Sequence, residues 1–154
     1  MGKNTEITNW NQLKNKPKIG KVSLQFPDGD SVDVKIQGLS QSIIDKINEK
    51  YDAMKPAQPM KPIKDKNESK PRWIPAVDGS EYEDYQKKIK QLDSLKFAET
   101  ALAFLIVKPE GTLEEQLKQL SEDLLAGHFI QIIQAGYEVS GFDLDERIKE
   151  SKNS

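Results

Sequence analysis

Two runs of apolar and polar alternation stand near the start of the chain. Val22, Leu24 and Phe26 alternate with Lys21, Ser23 and Gln25, and Val32, Val34 and Ile36 alternate with Asp33, Lys35 and Gln37. Between them lies Pro27-Asp28-Gly29-Asp30-Ser31, a stretch of turn-forming residues. Two period-2 runs about such a turn predict an antiparallel hairpin over 21–37 with one apolar face. A lone hairpin is barely stable in water, so that face needs a cover. Ser40 follows Gly38-Leu39 and has the chemistry of a helix N-cap. Ile43, Ile44, Ile47 and Tyr51 then share one face of a helix of about three turns. This helix is expected to cover the hairpin.

The second half of the chain changes to helical spacing. Ser80-Glu81-Tyr82-Glu83 has the form of a capping box, with Ser80 as the cap. Tyr82, Tyr85, Ile89, Leu92, Leu95 and Leu102 carry a 3/4 pattern that predicts a helix running to Val107, where Lys108-Pro109 stops it. From Phe97 onward the apolar residues cover every side, which predicts a segment enclosed on several sides. Thr112-Leu113-Glu114-Glu115 is a second capping box, and Leu113, Leu117, Leu120 and Leu124 follow as a narrow stripe. Ser121 is expected to cap a further helix carrying Phe129, Ile132, Ile133 and Tyr137. Gly127 is a candidate break within it. Gly141 is the expected stop, with Phe142 and Leu144 docking behind it.

Between the two halves the pattern disappears. Residues 54–75 contain prolines at 56, 59, 62, 71 and 75, which argue against a helix or a central strand. Residues 54–78 are therefore expected to be a flexible, polyproline-like insert, with Trp73-Ile74 tacking its end to the core. Residues 1–20 are polar apart from Trp10, Leu13 and Ile19 and predict an arm with one helical turn near 9–13. Residues 147–154 are polar and predict a frayed end. The fold class is α+β, mainly helical: a hairpin packed on about four helices. A single domain at 21–142 lies between an N-terminal arm at 1–20 and a polar tail at 143–154.

Composition restricts the function. Apolar residues other than Gly make up 36% and charged residues 31% of the chain, against a usual apolar share of roughly 45–50% including Gly. The core is modest. No apolar run approaches the roughly 20 residues of a membrane span, and no secretory signal pattern opens the chain. These features predict a cytosolic protein. The net charge of −2 hides an asymmetry. Residues 54–75 hold six cations (Lys55, Lys61, Lys64, Lys66, Lys70, Arg72) against Asp65 and Glu68. Residues 76–154 hold nine cations against sixteen acids.

The inventory for catalysis is thin. There is no Cys and a single His, which removes thiolate chemistry and argues against a zinc site. His128 lies in a helical pattern with no nucleophile motif nearby and is expected at a surface or boundary. The glycines form no phosphate loop. Asp28-Gly29-Asp30 lacks the length and closing Glu of a calcium loop, so a hairpin turn explains it better. No enzyme, cofactor or metal is expected. The basic segment 55–73 offers phosphate contacts and one stacking residue, Trp73, but the acidic balance of the chain argues against a dedicated nucleic-acid binder. Phe97, Phe104, Leu105, Ile106, Phe129 and Tyr137, with Trp73, remain as candidate partner-binding residues, for an amphipathic helix or a second copy.

The order of these pieces resembles one family. A hairpin of the form Val-Ser-Leu-Gln-Phe-Pro-Asp-Gly-Asp-Ser-Val-Asp-Val-Lys-Ile runs into Gly38-Leu39-Ser40-Gln41-Ser42-Ile43-Ile44-Asp45. A Pro/Lys-rich insert follows, then Tyr82-Glu83-Asp84-Tyr85-Gln86 opening a helix, and a helical pair closing near Glu138-Val139-Ser140-Gly141. Over residues 20–142 this is similar to the tail assembly chaperones of long-tailed bacteriophages and tail-like prophages of Gram-positive bacteria. The resemblance implies a non-enzymatic protein of the bacterial cytoplasm, absent from the finished virion. It implies binding to the helical tape-measure protein, which it keeps soluble during assembly, with the tail-tube protein as a further partner. It also implies self-association. It transfers no binding residue. A nucleic-acid-associated adaptor using 55–73 and a general helical interaction module stand as alternatives.

Overall fold

A computed structural model describes residues 6–14, 16, 18–64, 66–67 and 69–142. The fold is α+β and mainly helical. In chain order it runs α1 (Trp10–Lys14), β1 (Ile19–Gln25), β2 (Ser31–Gln37), α2 (Gln41–Met54), β3 (Met60–Ile63), β4 (Arg72–Pro75), α3 (Ser80–Phe104), α4 (Leu113–Asp123) and α5 (Ala126–Val139). The C-terminal tail, including Leu144, lies outside the described residues.

The first hairpin forms as its alternation predicts. β1 and β2 pair antiparallel, with Val22 opposite Val34 and Leu24 opposite Val32. The turn closes through Phe26 N–H to Asp30 O at 2.9 Å, and the Asp28 carboxylate accepts from Asp30 N–H at 3.0 Å. Gly29 takes a positive φ of 92° there. These contacts account for Asp28-Gly29-Asp30 as turn chemistry.

The cover on the hairpin differs from the expectation. α5, not α2, packs on both β1 and β2, while α2 packs on α3. α5 is apolar on more than one side, so it can lie between the hairpin and α3. The stripe on α2 is narrow and serves one neighbour. The core joins Leu24 and Ile36 from the hairpin to Ala101, Leu102 and Phe104 of α3 and Ile132 and Ile133 of α5. The approach of α3 to α5 depends on Gly136, where any Cβ would overlap the Phe104 ring.

Helix termini explain where each element stops. Ser40 caps α2, its hydroxyl accepting from Ile43 N–H at 3.4 Å. Thr112 caps α4 through Glu115 N–H at 3.3 Å. Ser80 does not cap α3. It is the first helical residue, and Gly79 at φ 92° precedes it without a side-chain bond. α3 ends at Phe104 rather than Val107 because the chain turns extended. Leu105 bridges Ile36 on the edge of β2, and Ile106 N–H donates to Lys35 O at 3.3 Å. α5 closes in a Schellman motif: Phe142 N–H donates to Tyr137 O, Gly141 N–H donates to Glu138 O, and Gly141 has φ 94°.

The α4–α5 break falls at Leu124-Leu125, not at Ser121 or Gly127. Ser121 sits inside α4 and donates to Leu117 O at 3.0 Å. Leu124 and Leu125 are both extended. His128, expected at a surface or boundary, is 2% exposed and stands in the first turn of α5. Its Nδ1 accepts Leu125 N–H at 3.1 Å, so Nε2 carries the proton and donates to Gln25 O at 2.7 Å. His128 thus caps α5 and ties it to the end of β1.

The Pro/Lys-rich insert, expected to be flexible throughout, contains two short strands. β3 and β4 form a second antiparallel hairpin, with Pro62 opposite Trp73 and Met60 opposite Pro75. Ala76 N–H donates to Pro59 O at 2.8 Å, which sets the alternating phase of the ladder. Pro62 and Pro75 then fall at positions whose nitrogens face away from the partner strand. Both strands are edges, so prolines are tolerated there. Among the described residues, no helix is long and apolar enough to cross a membrane.

Candidate functional site

A hollow lies between the first hairpin, the chain after α3, and the α4–α5 pair. Its volume is about 620 Å³. Leu24, Leu105, Leu120 and Ile132 line it and are each at most 5% exposed, so they make its floor. Val34, Val107 and Leu124 add apolar walls, and Asp33, Lys35, Lys108 and Asp123 contribute charges of both signs. The local sequence builds this shape directly. Leu105 joins the β2 edge, the chain bends at Ile106-Val107, and Val107 is left 77% exposed at the lip. The break at Leu124-Leu125 opens the opposite wall. At the hairpin rim, the Ser23 hydroxyl and then the Lys21 ammonium hold the Asp33 carboxyl below the usual carboxylate range. Asp33 therefore presents a fixed negative charge near neutral pH.

A second hollow of about 340 Å³ lies among α2, α3 and α5. Ile44, Ile47, Phe97, Ile133 and Tyr137 line it. Close to it, a buried polar cluster joins α2 to α3. Lys50 Nζ lies 2.6 Å from Glu99 Oε1, and Tyr51 OH lies 3.5 Å from the same oxygen. Glu99 is 7% exposed and Tyr51 is 3% exposed. Burial first, then the Glu99 charge and the bond to it, push the Tyr51 phenol up.

The seven candidate residues do not form one surface. Phe104 and Leu105 are core residues, 0% and 5% exposed, because the end of α3 is wedged between α5 and β2. Phe104 meets Tyr137 edge-on at 5.4 Å between ring centroids. That leaves Leu105 as groove floor and Phe104 with no surface to offer a partner. Phe97 is 42% exposed and pairs with the half-buried Phe129 at 6.5 Å, beside the second hollow that Tyr137 also lines. Ile106 is 38% exposed and precedes Val107, but it does not line the first groove. Trp73 does not tack to the core. It is 62% exposed on the second hairpin.

Sequence reasoning missed Val107 as the lip, the Leu24–Leu120–Ile132 floor, and the Asp33 and Asp123 rim. One local signal was present: an apolar run ending in Lys108-Pro109 leaves its last residues outside the helix. Among the described residues, no three His, Asp or Glu side chains gather as a metal site would require. No family model, curated protein or solved structure matches the chain.

Proposed function

We propose that this protein is a tail assembly chaperone. It holds amphipathic helices of a tape-measure protein in the groove between β2 and α4 and keeps them soluble until the tail tube closes around them. The observation that carries the proposal is the groove itself. It has a buried apolar floor, an exposed apolar lip at Val107, and a rim of both charge signs. A helix placing i, i+3 and i+4 apolar side chains into such a groove keeps its polar face in water and meets charges at both margins. Bare apolar stripes on a long helical protein would otherwise aggregate. The element order, hairpin first and helical pair last, supports the same reading.

The test is co-expression with the long helical protein encoded in the gene's own neighbourhood. The soluble fraction of that protein should rise with the wild-type chain and fall back with Val107→Asp, or with Gln119→Trp at a further residue lining the groove. Val107 is exposed at the groove's lip, so its substitution is expected to leave the fold intact. Unchanged solubility with both variants would place the partner elsewhere. A neighbourhood without any such gene would remove the chaperone reading.

A further inference from the structure

The second hairpin turns one face to water. Met60 stands opposite Pro75 and Pro62 opposite Trp73, so these four side chains share one side of β3–β4. All four are exposed, Trp73 to 62% and Met60 to 45%. On the other side Lys61, Ile63 and Ile74 are half-buried, so the Trp73 side is the outward one. The loop joining the strands adds Lys64, Lys66 and Lys70. Each is exposed, and none is held by a carboxylate among the described residues. A strand surface with an uncovered indole, next to a cationic loop, has the chemistry of a base-stacking platform beside phosphate contacts.

We infer that the β3–β4 arm binds single-stranded nucleic acid, a function separate from that of the groove between β2 and α4. One base stacks on Trp73 beside the Pro62 and Pro75 rings, and Lys64, Lys66 and Lys70 meet the phosphates of the neighbouring nucleotides. Asp78 and Glu81 line a hollow with Met60 and Lys61 at the base of the arm. Their charges turn a phosphate chain away from that end, so the strand runs from Trp73 toward the loop. Apart from the indole N–H, this face offers no donor to a base edge, so stacking and charge carry the contact with little sequence preference. A duplex hides its base faces and cannot stack in this way. The acidic balance of the chain does not cancel the attraction. It resides in residues 76–154, whereas residues 54–75 hold six cations against two acids, and at physiological salt exposed charges act over only about 8 Å. An anionic membrane fits less well, because the loop that would reach it first is polar and charged while the apolar side chains stand on the strands behind it. The arm supplies no residue to the lining of the β2–α4 groove, so the two readings stand or fall separately.

The experiment is titration of the full chain with labelled oligothymidylate and oligouridylate, followed by anisotropy over a range of salt, with far-UV circular dichroism as the control for folding. The two strands separate DNA from RNA as the source of the shared chemistry. In a Trp10→Phe background Trp73 is the one indole left of two, and its fluorescence should be quenched as the strand binds. Trp73→Ala should weaken binding roughly tenfold, the effect of losing one stacked base, and Trp73→Phe should recover part of it. The triple variant Lys64→Gln/Lys66→Gln/Lys70→Gln should make the slope of log K against log salt shallower by about 2, at about 0.7 for each phosphate contact. A general effect on folding would not change that slope. No binding at low salt, or an affinity and slope indifferent to these variants, would overturn the inference. So would equal affinity for a duplex, or binding to phosphatidylserine vesicles in place of the oligonucleotides.

Discussion

Replacing His128 with leucine tests whether one buried ring holds α5 to the first hairpin. Leucine keeps most of the volume but neither polar contact. The first loss is the Nδ1 acceptor for Leu125 N–H, a capping bond of about 1 kcal/mol. The second is the Nε2 donor to Gln25 O, which leaves a carbonyl unpaired beneath α5 at a cost of about 1–2 kcal/mol. The third is the edge contact with Phe26 at 4.7 Å, about 0.5–1 kcal/mol. The expected destabilisation is about 3 kcal/mol, or a fall in Tm of roughly 10 °C for a domain of this size. Thermal and urea melts followed by circular dichroism measure it. His128→Asn separates the two bonds. Its amide oxygen can take the place of Nδ1 but cannot reach Gln25, so about half the loss is expected. A leucine variant within about 0.5 kcal/mol of wild type would refute the assignment of His128 as cap and tie. An asparagine variant no better than leucine would refute the capping part alone.

Other outcomes follow from the same packing. Gly136→Ala should cost about 1–3 kcal/mol, because its methyl group overlaps the buried Phe104 ring and neither helix can withdraw freely; a chemical melt measures this. Tyr51 should ionise above its ordinary value of 10.0, as read by phenolate absorbance. The unfolded chain then loses this proton first, so its contribution to stability is whole below about pH 10 and falls as pH rises through the folded-state value. Tyr51→Phe should flatten that alkaline decline. Glu99→Gln should lower the Tyr51 ionisation only in part, since burial is the larger cause, and should cost about 1–3 kcal/mol by leaving Lys50 without its carboxylate.

What the sequence disclosed was local. The hairpin at β1–β2, the Ser40 and Thr112 caps and the Gly141 stop each depend on residues within a few positions of one another. The partner of each apolar face is not local. Ile43, Ile44 and Ile47 announce a buried stripe, yet nothing in their spacing says that it meets α3 and that α5 takes the hairpin. The run from Phe97 to Val107 is apolar on all sides, so spacing cannot separate Phe104 in the core from Phe97 and Val107 at the surface. Five prolines hid the second hairpin. Pro62 and Pro75 are compatible with strands only in one phase of the ladder, and that phase is set by the pairing of residues 59 and 76. The sequence points to a surface or boundary position for His128 because its role requires the extended pair Leu124-Leu125, which the helical pattern conceals. The groove suffered the same fate, since three of its walls come from segments far apart in the chain.

Hydrogen exchange on the chain, free and co-expressed with a tape-measure protein, tests the proposed function most directly. Protection should rise over residues 105–109, at 119–124 and along 33–35, the walls of the β2–α4 groove, with the partner's own helical segments protected in turn. Protection confined to α2 or to β3–β4, with those three segments exchanging as they do in the free protein, would contradict it.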